Sequence, residues 1–310
     1  NQDAFCRARL SAARGAAVLV AGRKQPAAVH ALVAKLNGQL GGALVSYYDD
    51  PEPTRLDHAD GIAAVVRDLK ARYRGSVLGF FWSFFNPLLL MGVYTFVFTV
   101  IMPGTHPADI QPYGLFFFCG ILPWTWFSSS LSESSNVLIS GGNLIKKVLF
   151  PAEVLPIVSV LANLVHFLLG LPILAALLVY YQRPLDPLEL LWFPVIVLVQ
   201  FLFTCGFALL LAALTVHFRD IKDILANLLT FWFFATPIIY PMSAAPGVGK
   251  QALNFNPFTH LAISYQEILF YPGPFGHWRW LLALAAFAVV VFLGGYFLFD
   301  RLRDSFAEEV

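Results

Sequence analysis

The chain has 310 residues, 58% of them hydrophobic and 15% aromatic, while only 13% are charged. Soluble domains carry about a quarter charged residues, so this composition, with a mean hydropathy of +0.69, excludes that class and indicates a polytopic membrane protein. A net charge of +1 leaves no basic surplus of the kind that marks a nucleic-acid partner.

The beginning differs from the rest. Residues 16–20 read as a strand, 26–40 as a helix and 43–48 as a second strand, a βαβ-like fragment within an N-terminal extension over 1–58. One such unit buries too little apolar surface to stand alone. The apolar core at 16–20 is too short for a signal peptide. Cys6, Cys119 and Cys205 are scattered without metal or disulfide spacing, so no metal site is expected.

Residues 61–74 predict an amphipathic helix. Ile62, Val65, Val66, Leu69 and Tyr73 share one stripe, and Arg67, Lys70 and Arg74 lie largely opposite. Such a helix just ahead of a span lies in the interface with its cations near anionic headgroups, or simply sets topology. Six apolar runs follow, at 77–102 (interrupted by Asn86-Pro87), 113–131, 154–181, 188–216, 221–240 and 280–299. Each meets the roughly 17 to 25 residues that a crossing requires.

Counting cations orients the runs. With the amino terminus inside, Arg67, Lys70, Arg72, Arg74, Lys146, Lys147, Arg219, Lys222, Arg301 and Arg303 are cytoplasmic, against Arg183, Lys250 and Arg279 outside. Cytoplasmic loops keep their lysines and arginines, so both termini are expected inside a multi-pass cell (inner) membrane protein.

The stretch at 143–156, NLIKKVLFPAEVLP, is then cytoplasmic, with a basic pair and prolines bracketing a short helix. It either offers a docking element to a soluble partner or only sets topology. In the loop at 217–223, Asp220 and Asp223 are expected to cap the fifth run. Beyond that run, 258–271 is apolar but too short to cross, which predicts a re-entrant or interfacial helix; its one acid, Glu267, is expected to face water.

An ion-coupled transporter carries ionisable relays within its spans. Here the interiors offer Asn86, Asn163, His166, Gln200 and Asn227, with Glu133, Glu153 and Asp300 at span ends. His166 reads as a packing residue. Gly249-Lys250 matches only the end of a phosphate-loop motif, because Ala244 stands where its first glycine belongs and Gln251 follows the lysine. The energy source is therefore expected outside this chain.

Four stretches, in order, carry a family resemblance: DLKARYRGSVLGFFWSFFNPLLLMGVYTFVFTVIM, NLIKKVLFPAEVLP, HFRDIKDIL with TPIIYPMS, and NPFTHL. Over about 59–310 the chain resembles the ABC-2 type permeases, and among them the subunits that export O-antigen, teichoic acid and capsule-type polysaccharides. The resemblance implies an all-α integral membrane domain over 59–310. It implies a homodimer of six-span subunits, each bound to a separate ABC ATPase that holds the ATP and magnesium, with no cofactor in this chain. It places an amphipathic helix with Arg67, Lys70, Arg72 and Arg74 at the cytoplasmic entrance. It makes Leu144, Ile145, Lys146, Lys147, Val148, Phe150 and Pro151 a coupling helix in a groove of the ATPase, and it puts short re-entrant helices at the outer mouth.

A lipid-linked glycan passing through needs many weak contacts, and aromatic faces pack against the C–H faces of sugars. Trp82, Phe85, Tyr94, Phe98, Phe231, Trp232, Phe234 and Tyr240 are the lining candidates, although aromatics also form interfacial belts. Two alternatives stay open. One is a permease of the same build for a drug or small lipid. The other is a membrane glycosyl- or acyltransferase, which would need paired carboxylates or a histidine beside an acid that the sequence does not display. The stretch AGRKQPAAVHALVAKLNGQLGGALVSYYDDP resembles a piece from the interior of molybdopterin-type oxidoreductases, without any metal or iron–sulfur ligand set, and no activity follows from it.

Overall fold

A computed structural model describes residues 82–102, 110–140, 152–303 and 306. The expected extension over 1–58 and the amphipathic helix over 61–74 lie outside the described residues. All regular structure among the described residues is helical. Helix α1, Trp82–Phe96, continues into a π-helical turn, Val97–Ile101. Then come α2 (Tyr113–Ser140), α3 (Val154–Tyr180) and α4 (Trp192–His217), the last entered through a 3-10 turn, Glu189–Leu191. Helix α5 is Ile221–Phe234, α6 Gly247–Phe255, α7 Pro257–Leu269 and α8 Trp278–Leu302. A helix closes its own backbone hydrogen bonds, which is what an apolar chain in lipid requires.

Four of these helical stretches are long and apolar enough to cross a membrane: Tyr113–Ser140, Val154–Tyr180, Glu189–His217 and Trp278–Leu302. The most apolar window of α2 is 83% buried and that of α8 only 22%, so α2 is the axis of the bundle and α8 lies at its surface. Helix α2 packs on α1, α3, α4, α5 and α7, whereas α8 packs chiefly on α4. At the α4–α8 crossing a Cβ on Gly206 would sit 2.7 Å from the Phe292 nitrogen, and one on Gly295 would overlap the Gly206 carbonyl oxygen. Two glycines let the backbones touch, the usual means of close helix approach where lipid supplies no hydrophobic drive.

Several expectations change. The second run was expected to end at 131, but α2 continues to Ser140, so Glu133 lies within the helix rather than at its end. The run at 221–240 is not one helix. Pro237 has no N–H to donate and disfavours helical geometry at Thr236, and the chain turns after Phe234. The 14 residues of α5 span only ~21 Å, short of the ~30 Å hydrocarbon core. Asn86-Pro87 does not interrupt the first run, because α1 runs through Pro87.

Candidate functional site

Polar and aromatic side chains that packing alone does not explain gather at the two ends of the bundle. At one end Leu138, Ala152, Leu209, Val216, Phe299 and Phe306 belong to one buried cluster. That cluster joins the ends of α2, α4 and α8 to the start of α3. Both borders of the 141–151 segment therefore share an end with Arg219, Lys222, Arg301 and Arg303. At the opposite end the Arg183 guanidinium lies 4.6 Å over the Phe270 ring and donates to the Gln111 carbonyl, while Trp192 packs on Phe275 at 5.3 Å. Arg183, Arg279 and, on α6, Lys250 belong to this second end. The described cations are thus sorted as the sequence count sorts them. The coupling residues Leu144, Ile145, Lys146, Lys147, Val148, Phe150 and Pro151, and the entrance cations Arg67, Lys70, Arg72 and Arg74, lie outside the described residues.

The turn between α4 and α5 holds Phe218, Arg219 and Asp220, all exposed. Asp220 makes no side-chain cap, because its backbone is already helical (φ −67, ψ −18) rather than extended as a cap requires. Asp223 stands in the first turn of α5, where negative charge meets the positive helix end. Between the ends, Asn163 of α3 donates to Glu133 of α2 at 2.6 Å and to the Ser159 carbonyl at 2.9 Å, so the carboxylate within α2 is held by an amide.

The aromatic candidates divide. Tyr94 stacks on Phe117 with centroids 4.6 Å apart, and Phe98 lies 5.2 Å from Tyr113, both against the α2 core. The Trp232 indole donates to Asn256 Oδ1 at 2.6 Å, and the Tyr240 hydroxyl donates to the Phe234 carbonyl at 2.9 Å. Phe85, Phe231 and Phe234 are exposed, Phe231 at 71%. Trp82 starts α1.

Asn256, which spacing alone did not single out, is a hub. Its Oδ1 caps α7 by accepting from the Phe258 amide at 3.0 Å and also accepts from Trp232, while its Nδ2 donates to the Ala235 carbonyl at 2.7 Å and Thr236 Oγ1 at 2.9 Å. All of its hydrogen-bonding capacity goes to tying the end of α5 to the start of α7. The signal was present in the sequence: asparagine before proline is a helix-start pair.

Glu267 does not simply face water. It is half-buried, and its Oε2 accepts from the Gly276 and His277 amides at 3.0 Å each, tying α7 to the two residues that lead into α8. His277 Nδ1 lies 4.0 Å from Glu267 Oε1, and His277 Nε2 lies 2.9 Å from His260 Nδ1. His260 Nε2 lies 3.0 Å from the Asn254 carbonyl, and its ring stacks on Trp280 at 4.6 Å, 5° from parallel. Burial lowers the His260 pKa. Burial first, then the neighbouring His260, lowers that of His277 to about 4. Burial raises that of Glu267 against the two amide bonds. The structure thus assembles a histidine beside an acid that the sequence did not display, although both nitrogens of His260 are already engaged.

Long apolar helices packed on α2 and α4, cations sorted between two ends and two short helices at one of them define a multi-span helical membrane protein. The model of the ABC-2 type transporter family matches residues 61–270, and the chain belongs to that family. It is 43% identical over 252 residues to the O-antigen export system permease protein RfbA of Myxococcus xanthus, covering 80% of this chain and 94% of that protein. A Klebsiella pneumoniae protein of the same name is 34% identical over 244 residues, 78% and 91% of the two chains. The polysialic acid transport protein KpsM of Escherichia coli is 24% identical over 254 residues, 78% and 93%.

Proposed function

We propose that the chain is the membrane-spanning subunit of an ATP-driven exporter that moves a lipid-linked polysaccharide outward across the cell membrane. One observation carries this reading: 43% identity along nearly the whole length of a permease named for O-antigen export. Two copies form the path, and a separate ATPase docks beneath 144–151, the segment whose borders the loop-end cluster holds. The loop end faces the cytoplasm, both termini included, because it gathers Arg219, Lys222, Arg301 and Arg303. Arg67, Lys70, Arg72 and Arg74 attract the diphosphate of the lipid carrier at the entrance. Helices α6 and α7 are the short re-entrant pair at the outer mouth, and α1 and the fifth run, in which α5 is continued by the non-helical chain from 235 to 240, complete six spans. Helix α5 buries only Leu225 and Leu229, which leaves Phe231 and Phe234 on a face toward the path or the second copy. ATP binding closes the two ATPases and shifts the paired loops, and the packed helices change from one discrete arrangement to another. The transport subunit itself does no covalent chemistry.

The test has two arms. Affinity purification from the native membrane is expected to recover an ATPase subunit, and deletion of the gene to remove surface glycan while lipid-linked polymer accumulates inside. Retention of surface glycan with loss of drug efflux would move the assignment to a small-molecule permease. Transport by vesicles that hold only this polypeptide under an ion gradient would overturn the ATP-driven reading.

A further inference from the structure

The row Asn254, His260, His277 and Glu267 obeys a simple proton count. The Asn254 carbonyl only accepts, so His260 Nε2 carries a hydrogen and donates to it. If His260 is neutral, its Nδ1 accepts, and the 2.9 Å contact requires a hydrogen on His277 Nε2. His277 Nδ1 then bears a lone pair that points at the Glu267 carboxylate, acceptor against acceptor, and the 4.0 Å gap there is too long for a hydrogen bond. One added proton repairs the row. It sits on Glu267, on His277 Nδ1, or, with both links reversed, on His260 Nδ1. Each placement gives the 2.9 Å histidine pair one hydrogen between them and replaces the lone-pair repulsion across the 4.0 Å gap to Glu267 with attraction. With no added proton one link fails, and with two, neighbouring groups compete as donors.

We infer that His260, His277 and Glu267 hold one proton in common, and that this proton latches α6 and α7 to the start of α8. The latch joins three segments: α6 through Asn254, α7 through His260 and Glu267, and α8 through Gly276, His277 and the stacked Trp280. Glu267 also lines an open cleft of about 400 Å³ with Met242, Ser243, Gln266 and Tyr271, which gives the shared proton a route to water. At this end of the bundle the charged groups on the elements packed around the trio are Lys250 on α6, Arg279 on α8 and Glu189 in the turn before α4, while Glu133 of α2 and Asp300 and Arg301 of α8 lie farther along their helices; α2 and α4 bring the thiols Cys119 and Cys205 and the phenol Tyr113. Among the described residues no ion pair joins Lys250, Arg279 or Glu189 to the trio. Burial disfavours charge on all three groups, raising Glu267 and lowering both histidines, so of the three placements it favours the carboxyl. The latch is closed between two apparent pKa values that belong to the row as a whole. It opens when acid adds a second proton or base removes the first. That this pH is the pH outside the cell rests on the orientation proposed above; the latch itself does not.

Hydrogen–deuterium exchange of the full chain in lipid nanodiscs, from about pH 4 to about pH 9 and corrected for intrinsic rates, tests this over the range of free carboxyl and imidazole titration. Amides of 247–260 and 275–281 are expected to show maximal protection in the middle of the range and up to about tenfold less at each extreme, the loss of one buried hydrogen bond. In Glu267→Gln the amide turns an N–H toward the His277 Nδ1 lone pair at every pH and its oxygen still accepts from the two backbone amides, so the alkaline loss disappears and the acid loss remains. Glu267→Ala loses protection throughout. As a measurement free of mutation, ¹⁵N-histidine spectra of the wild-type protein are expected to show both imidazoles titrating with common midpoints. Flat wild-type protection, an alkaline loss that persists in Glu267→Gln, or two imidazoles titrating independently near the free value would overturn the latch. None of these outcomes bears on which cargo the transporter moves.

Discussion

Replacing Asn256 by alanine is the most direct perturbation of the second end. The substitution removes the α7 cap, worth about 1 kcal/mol, and strips partners from the Trp232 indole, the Ala235 carbonyl and Thr236 Oγ1. In water-soluble proteins the orphaned indole alone would cost about 1–3 kcal/mol. In membrane bundles the unfolded chain keeps some partners, and side-chain hydrogen bonds average ~0.6 kcal/mol with a ceiling near ~1.7. Taking the lower scale for the three lost bonds together with the cap, Asn256→Ala is expected to destabilise the protein by about 2–3 kcal/mol. Asn256→Asp keeps both bonds that Oδ1 accepts but turns a second oxygen toward the Ala235 carbonyl, acceptor against acceptor, so it is expected to cost more than the ~1 kcal/mol of the two lost bonds alone.

Unfolding in mixed micelles of increasing denaturing detergent measures these differences. A cycle with Trp232→Phe isolates the shortest bond, with an expected coupling of about 0.6–1.7 kcal/mol. If Asn256→Ala falls within ~0.5 kcal/mol of wild type, or the double mutant is additive within ~0.3 kcal/mol, the hub is not a hub and Trp232 returns to the set of free aromatic faces.

Gly295→Ala is expected to disrupt the α4–α8 contact and lower the yield of folded protein, since its Cβ overlaps backbone; Gly294→Ala, with open space around it, is the matched control. Glu133→Gln keeps an acceptor for Asn163 and is expected to leave export intact, whereas loss of export with a normal fold would reveal a proton relay within α2. A cysteine placed at Lys147 is expected to react with an impermeant reagent from the cytoplasmic face alone, and labelling from outside would invert the topology. His277 is held near 4 against an ordinary value near 6.5, so its folded form refuses a proton that the unfolded chain accepts. The stability it contributes is present above pH ~6.5 and lost as pH falls toward 4, and His277→Gln is expected to flatten that acid limb of a melting profile.

How far the sequence revealed this arrangement depends on whether the decisive bond was local. Helices α3, α4 and α8 were legible because length and apolarity suffice for a span. The last nine residues of α2 were not, since the serine-rich run after Phe127 reads as polar. In the helix those hydroxyls bond back onto the preceding turn, Ser130 to the Trp126 carbonyl at 2.6 Å and Ser132 to the Ser128 carbonyl at 2.9 Å, which hides their polarity. Hydropathy erred the other way at the fifth run, continuing through Pro237 where the backbone turns. The latch was illegible for a third reason. His260, Glu267 and His277 have no motif spacing, and only the packing of α7 on α8 makes them neighbours.

These contacts bear on how force could cross the bundle. Helices α3, α4 and α7 are bound along much of their length by the α2 core, so a push at one end of them is resisted at every layer. Helix α5 is bound more lightly. It begins at the loop end, in the turn with Arg219 and Asp220, and ends at Asn256 beside the short helices. Between those points only Leu225 and Leu229 are buried. An element tied by side chains at one end, to Asn256, and held lightly along its length shifts along its axis with little repacking. Coupling between distant sites needs a shared element with two discrete positions, and α5, with Leu225 and Leu229 its only buried residues, is lightly bound to one. Pinning it should therefore uncouple the two ends without unfolding either. A disulfide between α5 and α2 that leaves ATP hydrolysis running while export stops is the expected result, and continued export through the locked form would show that the displacement travels by another helix.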